Sequence, residues 1–308
     1  MNRRFAIMDV FTDTPLSGNQ LGVIYDCDGL DTASMQAIAR ELNFSETVFL
    51  APARHEAHSA AMRIFTPANE LPFAGHPTVG GAIAVAVERG IDSVGQGIVV
   101  LEEEVGAVRC AVRFGDDAVG KAVKEAAYAE FDLPVAAVPW DGPDETETIA
   151  AALSLDPHEL SFENHTVSNF DGGLTYTLVP VRDLGVLAKA KPVLNIWNAA
   201  FGNHSHNSAF VYCRETVGHD NHFHARMFAP DAGIPEDPAT GSAVASLAGA
   251  IVAFDAPPDG LHVVRIEQGF EMGRPSLITL EIDVENGVQS GGRIGGHAVF
   301  FARGHIDI

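Results

Sequence analysis

Apolar residues recur in short alternating runs along most of this 308-residue chain, the period expected of β-strands. Such runs cover residues 5–11, 21–25, 47–50, 61–65, 98–101, 105–114, 174–181, 208–212, 222–228, 263–268, 276–284 and 296–302. Pro, Gly and Asn punctuate them, most densely in TDTPLSGNQ at 12–20. A helical period shows at 32–43, where Met35, Ile38, Ala39 and Leu42 share a face behind a cap at Asp31 or Thr32. Shorter helical patterns occupy 148–155, stopped by Asp156-Pro157, and 186–190 and 195–199. Strands dominate, without the regular strand–helix alternation of a doubly wound sheet.

Two segments break that pattern. Residues 78–89 (TVGGAIAVAVER) and 240–254 (TGSAVASLAGAIVAF) are apolar on nearly every face. A helix of that kind has to be buried all round, and its small residues let other backbone come close. Arg-x-Phe-x-Pro precedes each one: Arg63, Phe65 and Pro67 in the first copy, Arg226, Phe228 and Pro230 in the second. Pro77, Gly80 and Ala82 match Pro238, Gly241 and Ala243 in the same way. A repeat at about 160 residues predicts two related half-molecules, each a sheet curled around a central helix. A polar, Pro-rich shift near 115–145 predicts the junction between them.

Composition narrows the function. Forty-six per cent hydrophobic residues supply a sizeable core, and 41 acidic against 19 basic residues leave a net charge of −22. Such a chain has no basic footprint for nucleic acid. Its three cysteines, Cys27, Cys110 and Cys213, form no CxxC pair, which argues against a disulfide framework or zinc site. No apolar run reaches the ~18–20 residues of a membrane span, and the N-terminus has no signal-peptide core; the expectation is a cytoplasmic protein.

The candidate chemistry gathers at the two helix starts. A helix N-terminus presents free backbone N–H groups that favour an anion. GHPTVGG at 75–81 lacks the Lys-Ser/Thr of a nucleotide loop but suits a small carboxylate, with TGS at 240–242 as its counterpart. His76 at the first opening is favoured as a neutral ring; a buried, satisfied histidine is the plainer reading. Asp237 precedes the second opening, as ligand or merely as cap. Glu46 follows a helix and enters a β-prone run with Val48 and Leu50 on its face. An apolar setting raises a carboxyl's pKa and suits proton transfer to carbon; taken alone, an exposed strand-end Glu is the plainer reading. Glu102, Glu103 and Glu104 read as a solvated hairpin edge. His204, His206, His219, His222 and His224 fit no closed metal pattern, and His222 and His224 read as the polar face of a strand.

The chain resembles the phenazine-biosynthesis PhzF family, which shares its fold with diaminopimelate epimerase. The resemblance is carried by MDVFTDTPLSGNQLGVIYD, by Ser45-Glu46-Thr47, by RIFTPANELPFAGHPTVGGA and RMFAPDAGIPEDPATGSA, by QGFEMGRPS, and by the closing GGHAVFFARG. It is weak over 116–207, and GNQ at 18–20 stands where the family usually has Gly-Asn-Pro. It implies an α+β fold of two similar halves, each a curved, mostly antiparallel β-sheet wrapped around a central apolar helix. It places those halves at 1–118 and 125–290, with 291–308 returning to the first. It also implies a substrate cleft between the halves and a homodimer.

For the chemistry, the resemblance implies an isomerase without metal or other cofactor, acting on a small carboxylate-bearing substrate. Glu46 would be the single general acid/base, with His76 and Asp237 orienting the substrate and assisting protonation. Ser45, Gly75, Thr78, Gly241 and Ser242 would hold its carboxylate. Phenazine-pathway members isomerise a dihydro-hydroxyanthranilate. Related epimerases carry a cysteine at each central helix start; this chain has none there, which excludes a two-thiol mechanism. An epimerase or lyase using Glu46, or a non-catalytic ligand-binding protein on the same scaffold, are the competing expectations.

Overall fold

The computed structural model describes residues 2–93, 95–115, 126–202 and 207–308. They form two compact units. One holds the described residues of Met1–Asp132 and Gly295–Ile308, the other those of Leu133–Ile294. The units divide between Asp132 and Leu133, within the stretch 115–145; residues 116–125 lie outside the described residues.

The first unit runs β1 (Asn2–Val10), β2 (Asn19–Ile24), α1 (Thr32–Leu42), β3 (Glu46–Ala51), β4 (Ala60–Phe65), β5 (Glu70–Leu71), α2 (Gly75–Glu88), β6 (Gln96–Glu103), β7 (Gly106–Phe114) and β8 (Ala126–Asp132). The second runs β9 (Val138–Pro139), α3 (Thr146–Ala152), β10 (Ser168–Asp171), β11 (Thr175–Pro180), α4 (Leu184–Lys189), α5 (Leu194–Phe201), β12 (Ala209–Cys213), β13 (Phe223–Ala229), β14 (Ile234–Asp237), α6 (Gly241–Asp255), β15 (Gly260–Gln268) and β16 (Ser276–Glu285). Strand β17 (Val288–Asp307) follows; its residues from Gly295 belong to the first unit and pair antiparallel with β1, from Asn2↔Asp307 to Val10↔Ala298. The chain is thus a sheet-rich mixed α/β protein with six α-helices among the described residues.

Within the first unit β1–β2 is antiparallel, β2–β3 parallel, β3–β4 and β4–β5 antiparallel, β4–β6 parallel and β6–β7 antiparallel. Within the second, β10–β11 is antiparallel, β11–β12 parallel, β12–β13 and β13–β14 antiparallel, β13–β15 parallel and β15–β16 antiparallel. The order of pairings in one unit recurs in the other.

The two all-apolar segments form α2 and α6. Helix α2 is buried from residue 75 through 86 and packs on every strand of its unit from β1 to β8 except β5. A Cβ at Gly80 would collide with Leu21. Helix α6 is buried at Gly241 and from 243 through 251 and packs on β9, β10, β11 and β16; a Cβ at Gly249 would strike the Phe170 ring. Burial on all sides is what their composition requires. Helix α2 starts at Gly75, three residues before the expected position 78, because Pro77 in a first turn gives up no intrahelical N–H bond.

The Arg-x-Phe-x-Pro copies are struts. Arg63 forks onto Glu70 of β5 with two bonds of 2.6 Å, its guanidinium 5.1 Å from the Phe65 ring. Arg226 forks onto Glu236 of β14 with two bonds of 2.8 Å, 4.9 Å from the Phe228 ring.

Three expectations need correction. Strand β8 occupies part of the stretch read as a junction; its AAYAEFD alternates correctly, burying Ala127, Ala129 and Phe131, but with alanines too small to stand out. The acidic hairpin is not a solvated edge throughout. Glu104 is exposed, but Glu103 is buried, and Glu102 accepts the N–H groups of Arg54 and His55, which hold its carboxyl well below the ordinary range. His224 does not face water: it is buried against Glu267 at 2.7 Å and Glu271 at 3.3 Å. Burial opposes its charge, yet those two carboxylates raise it to about 9. His204 and His206 lie outside the described residues. Among the described residues, no group of three or more His, Cys, Asp or Glu is disposed to hold a metal ion, and no helix is long and apolar enough to cross a membrane.

Candidate active site

In the first unit the parallel pairing of β2 and β3 sets Leu21 opposite Glu46, the first residue of β3. Every side chain from 46 through 50 is buried, so Glu46, 9% exposed, opens a strand that is covered on both faces. Helix α2 brings His76 to it: His76 Nδ1 lies 3.4 Å from Glu46 Oε2 and 3.4 Å from Asn19 Nδ2. Burial pushes the imidazole down to about 3, against a backbone hydrogen bond with Gln20. The ring is therefore neutral at physiological pH, and its contact with Glu46 is dipolar rather than an ion pair. Its other nitrogen, Nε2, is buried without a hydrogen-bond partner among the described residues. Ser45 is half-buried beside Glu46.

Helix α2 opens at Ala74 with no side-chain cap, and Gly75 is its first residue. The N–H groups of such a first turn have no intrahelical acceptor. Thr78 is different: it is fully buried, its N–H bonds the Ala74 carbonyl at 3.1 Å, and its hydroxyl lies 2.8 Å from the same oxygen and 2.9 Å from Glu103 Oε1. Both its polar groups are engaged inside the protein, so the expected substrate contact at Thr78 has no group left to make it.

In the second unit Asp237 ends β14 and is buried. It is not the cap of α6; that position is Thr240. The Thr240 hydroxyl donates to Asp237 Oδ2 at 2.5 Å. Gln268, fully buried at the end of β15, locks this turn: its amide donates to the Asp237 carbonyl at 2.7 Å and to Thr240 Oγ1 at 3.0 Å, and its carbonyl accepts the Thr240 N–H at 3.0 Å. Gly269 follows at φ +78°, where a Cβ would also meet the Pro238 backbone. Gly241 is the first residue of α6, and Ser242 Oγ lies 2.7 Å from the Tyr176 hydroxyl.

The first unit thus brings Glu46, His76 and Gly75 to one helix opening, and the second brings Asp237, Gly241 and Ser242 to another. Sequence reasoning missed Asn19, Glu103, Tyr176 and Gln268. Asn19 and Gln268 had a signal, Asn19 within GNQ at 18–20 and Gln268 as a polar residue at the inner end of an apolar strand within QGFEMGRPS. Gln268→Met keeps the bulk and removes all three hydrogen bonds. It should lower unfolding stability by about 1–3 kcal/mol, read from urea denaturation midpoints, because the Thr240 N–H and Asp237 carbonyl are left buried and unmet. An unchanged midpoint would mean the clamp carries no weight.

Comparison with known proteins defines the class. Residues 8–304 match the family described as Phenazine biosynthesis-like protein (PhzC-PhzF), and the chain belongs to it. It is 49% identical over 309 residues to an uncharacterized isomerase of Mesorhizobium japonicum, covering 99% of each chain. It is 32% identical over 305 residues to the trans-2,3-dihydro-3-hydroxyanthranilate isomerase of Pseudomonas aeruginosa, covering 98% of each. A solved PhzF-family protein of Bacillus anthracis superposes over the whole of both chains with TM-score 0.87 at 27% identity. A hydroxyproline epimerase of Agrobacterium vitis, at TM-score 0.63 and 13% identity over 99% of this chain and 92% of its own, shares the fold alone. The protein is an enzyme of the isomerase class.

Proposed function

We propose that this enzyme moves a proton between two carbons of a small carboxylic acid, using Glu46 as the single general acid/base. The observation that carries the reading is a buried carboxylate 3.4 Å from a histidine held neutral, at the uncapped start of a buried helix. As a carboxylate, Glu46 takes a proton from one substrate carbon. The electron pair of that C–H bond becomes the new double bond, the old double bond opens toward a second carbon, and Glu46 returns the proton there on the same face. His76 and Asp237 orient polar substrate groups and assist protonation. Backbone N–H groups at Gly75 and Gly241, with the Ser45 and Ser242 hydroxyls, bind the carboxylate. Thr78 is reassigned from ligand to support. The two units are read as copies of one device, which their common order of strand pairings and their paired Arg–Glu struts support.

The 32%-identical relative supports a cyclic, unsaturated amino or hydroxy acid as substrate. The test is a screen of such acids, beginning with trans-2,3-dihydro-3-hydroxyanthranilate, in D2O. At least one should take up deuterium at carbon with a shifted double bond. Deuterium uptake without that shift would make the enzyme an epimerase or lyase; binding with no exchange in any acid would remove the proton-transfer reading. On the responding acid, Asp237→Ala should raise KM and lower kcat together, and unchanged kinetics would take Asp237 out of the site.

A further inference from the structure

Glu103, at the end of β6, has no part in the proton transfer described above, yet it is buried, 8% exposed. Its Oε1 lies 2.9 Å from Thr78 Oγ1, which lies 2.8 Å from the Ala74 carbonyl oxygen. Thr78 has one hydroxyl proton and two oxygens to face. One proton would have to be shared between them, whereas each contact is a full hydrogen bond if Glu103 brings a proton of its own: the acid donates to Thr78, and Thr78 donates to Ala74. The other carboxyl oxygen, Oε2, is buried with no hydrogen-bond partner among the described residues, a position costly for an ionised carboxyl. Ala74 is the N-cap of α2 and has no side-chain cap of its own.

We propose that Glu103 is a positioning residue held as a neutral acid: through Thr78 it fixes the Ala74 carbonyl, and with it the first turn of α2 that carries His76, so that the order of this turn depends on pH. The surroundings agree. Burial raises the Glu103 carboxyl to about 8. Cys110 on β7 interacts with it and is itself pushed up by burial, with Asp132 at the end of β8 acting on that thiol in the same direction. His76 on α2 is neutral. Glu102 is taken up by Arg54, His55 and His58, and Glu104 is exposed.

The sign follows from linkage. A carboxyl with a raised folded-state pKa contributes its full stabilisation below its ordinary pKa of 4.5 and loses it as pH rises through about 8. Amide hydrogen exchange of the intact protein, corrected for intrinsic rates, tests this without a substrate, so its outcome is separate from that of the isomerase reading. The protection of amides in 75–81 in wild type relative to Glu103→Gln should fall about tenfold per pH unit between about pH 5 and about pH 8, then level off. The same ratio should stay flat for β15. Thr78→Val, which breaks the relay, should expose the turn at every pH. Parallel profiles for wild type and Glu103→Gln would overturn the proposal, as would an equal change at β15, which marks a global effect. Should Glu103→Gln not fold, infrared spectra of wild type decide: a protonated-carboxyl band at neutral pH that is lost near pH 8 supports the proposal, and its absence at neutral pH refutes it.

Discussion

Glu46→Gln is expected to fold, bind substrate and lose turnover by about 10²–10⁴-fold, the usual weight of one positioned acid/base. Its stability should scarcely change. Glu46 meets His76 at 3.4 Å, but burial keeps that ring neutral, so this contact is not an ion pair that the substitution could break. The amide has nearly the carboxylate's shape and can still face Nδ1 and the covered strand β3. What it cannot do is carry a proton to and from carbon. The measurement is deuterium exchange at the substrate carbon alongside a binding isotherm: exchange should collapse while affinity holds. Exchange at the wild-type rate would transfer the acid/base role to another group.

Arg226→Ala should be the most damaging of the simple truncations, at about 3–5 kcal/mol, the cost of leaving a buried ion pair half empty. The Arg226 side chain is 8% exposed and forks onto Glu236, and its remaining nitrogen donates to the carbonyls of Leu187 at 3.0 Å and Ala190 at 2.9 Å, at the end of α4. Truncation strands Glu236 and uncovers those carbonyls together. Arg63 has the same sequence context and the same fork onto a Glu, but its side chain is 33% exposed and it caps no helix. Arg63→Ala should therefore cost about 1 kcal/mol or less, as exposed ion pairs do. Paired urea denaturation curves give the comparison. Equal losses would show that burial does not separate the two struts.

That pair shows where reading a sequence stops. The repeated Arg-x-Phe-x-Pro is visible in one dimension, and so is the fact that each copy introduces an apolar helix. Which copy is buried is not visible, because it depends on α4, whose link to Arg226 spans about forty positions and no local pattern. Glu103 is a sharper case. Three successive glutamates in a hairpin read as solvent-facing, yet the pleat sends alternate side chains to opposite faces, and the middle one lands under α2. Gln268 and Tyr176 act on Thr240 and Ser242 from 28 and 66 positions away. Nothing around either residue announces the partner.

By itself, the sequence determined what local composition can dictate. The two helices had to be buried on every side, since no face of either carries enough polar groups to meet water. A β-prone run had to begin near Glu46, and the anion-favouring helix starts were legible from Gly, Pro and Thr; that Glu46 is buried there came from the structure. The tertiary structure alone decided how the polar groups are held: His76 buried 3.4 Å from Glu46, Glu103 buried beside Thr78, Asp237 gripped through Thr240 and Gln268. Charge and hydrogen bonding inside a protein depend on desolvation and on partners distant along the chain, and both come into being only when the sheets close around their helices.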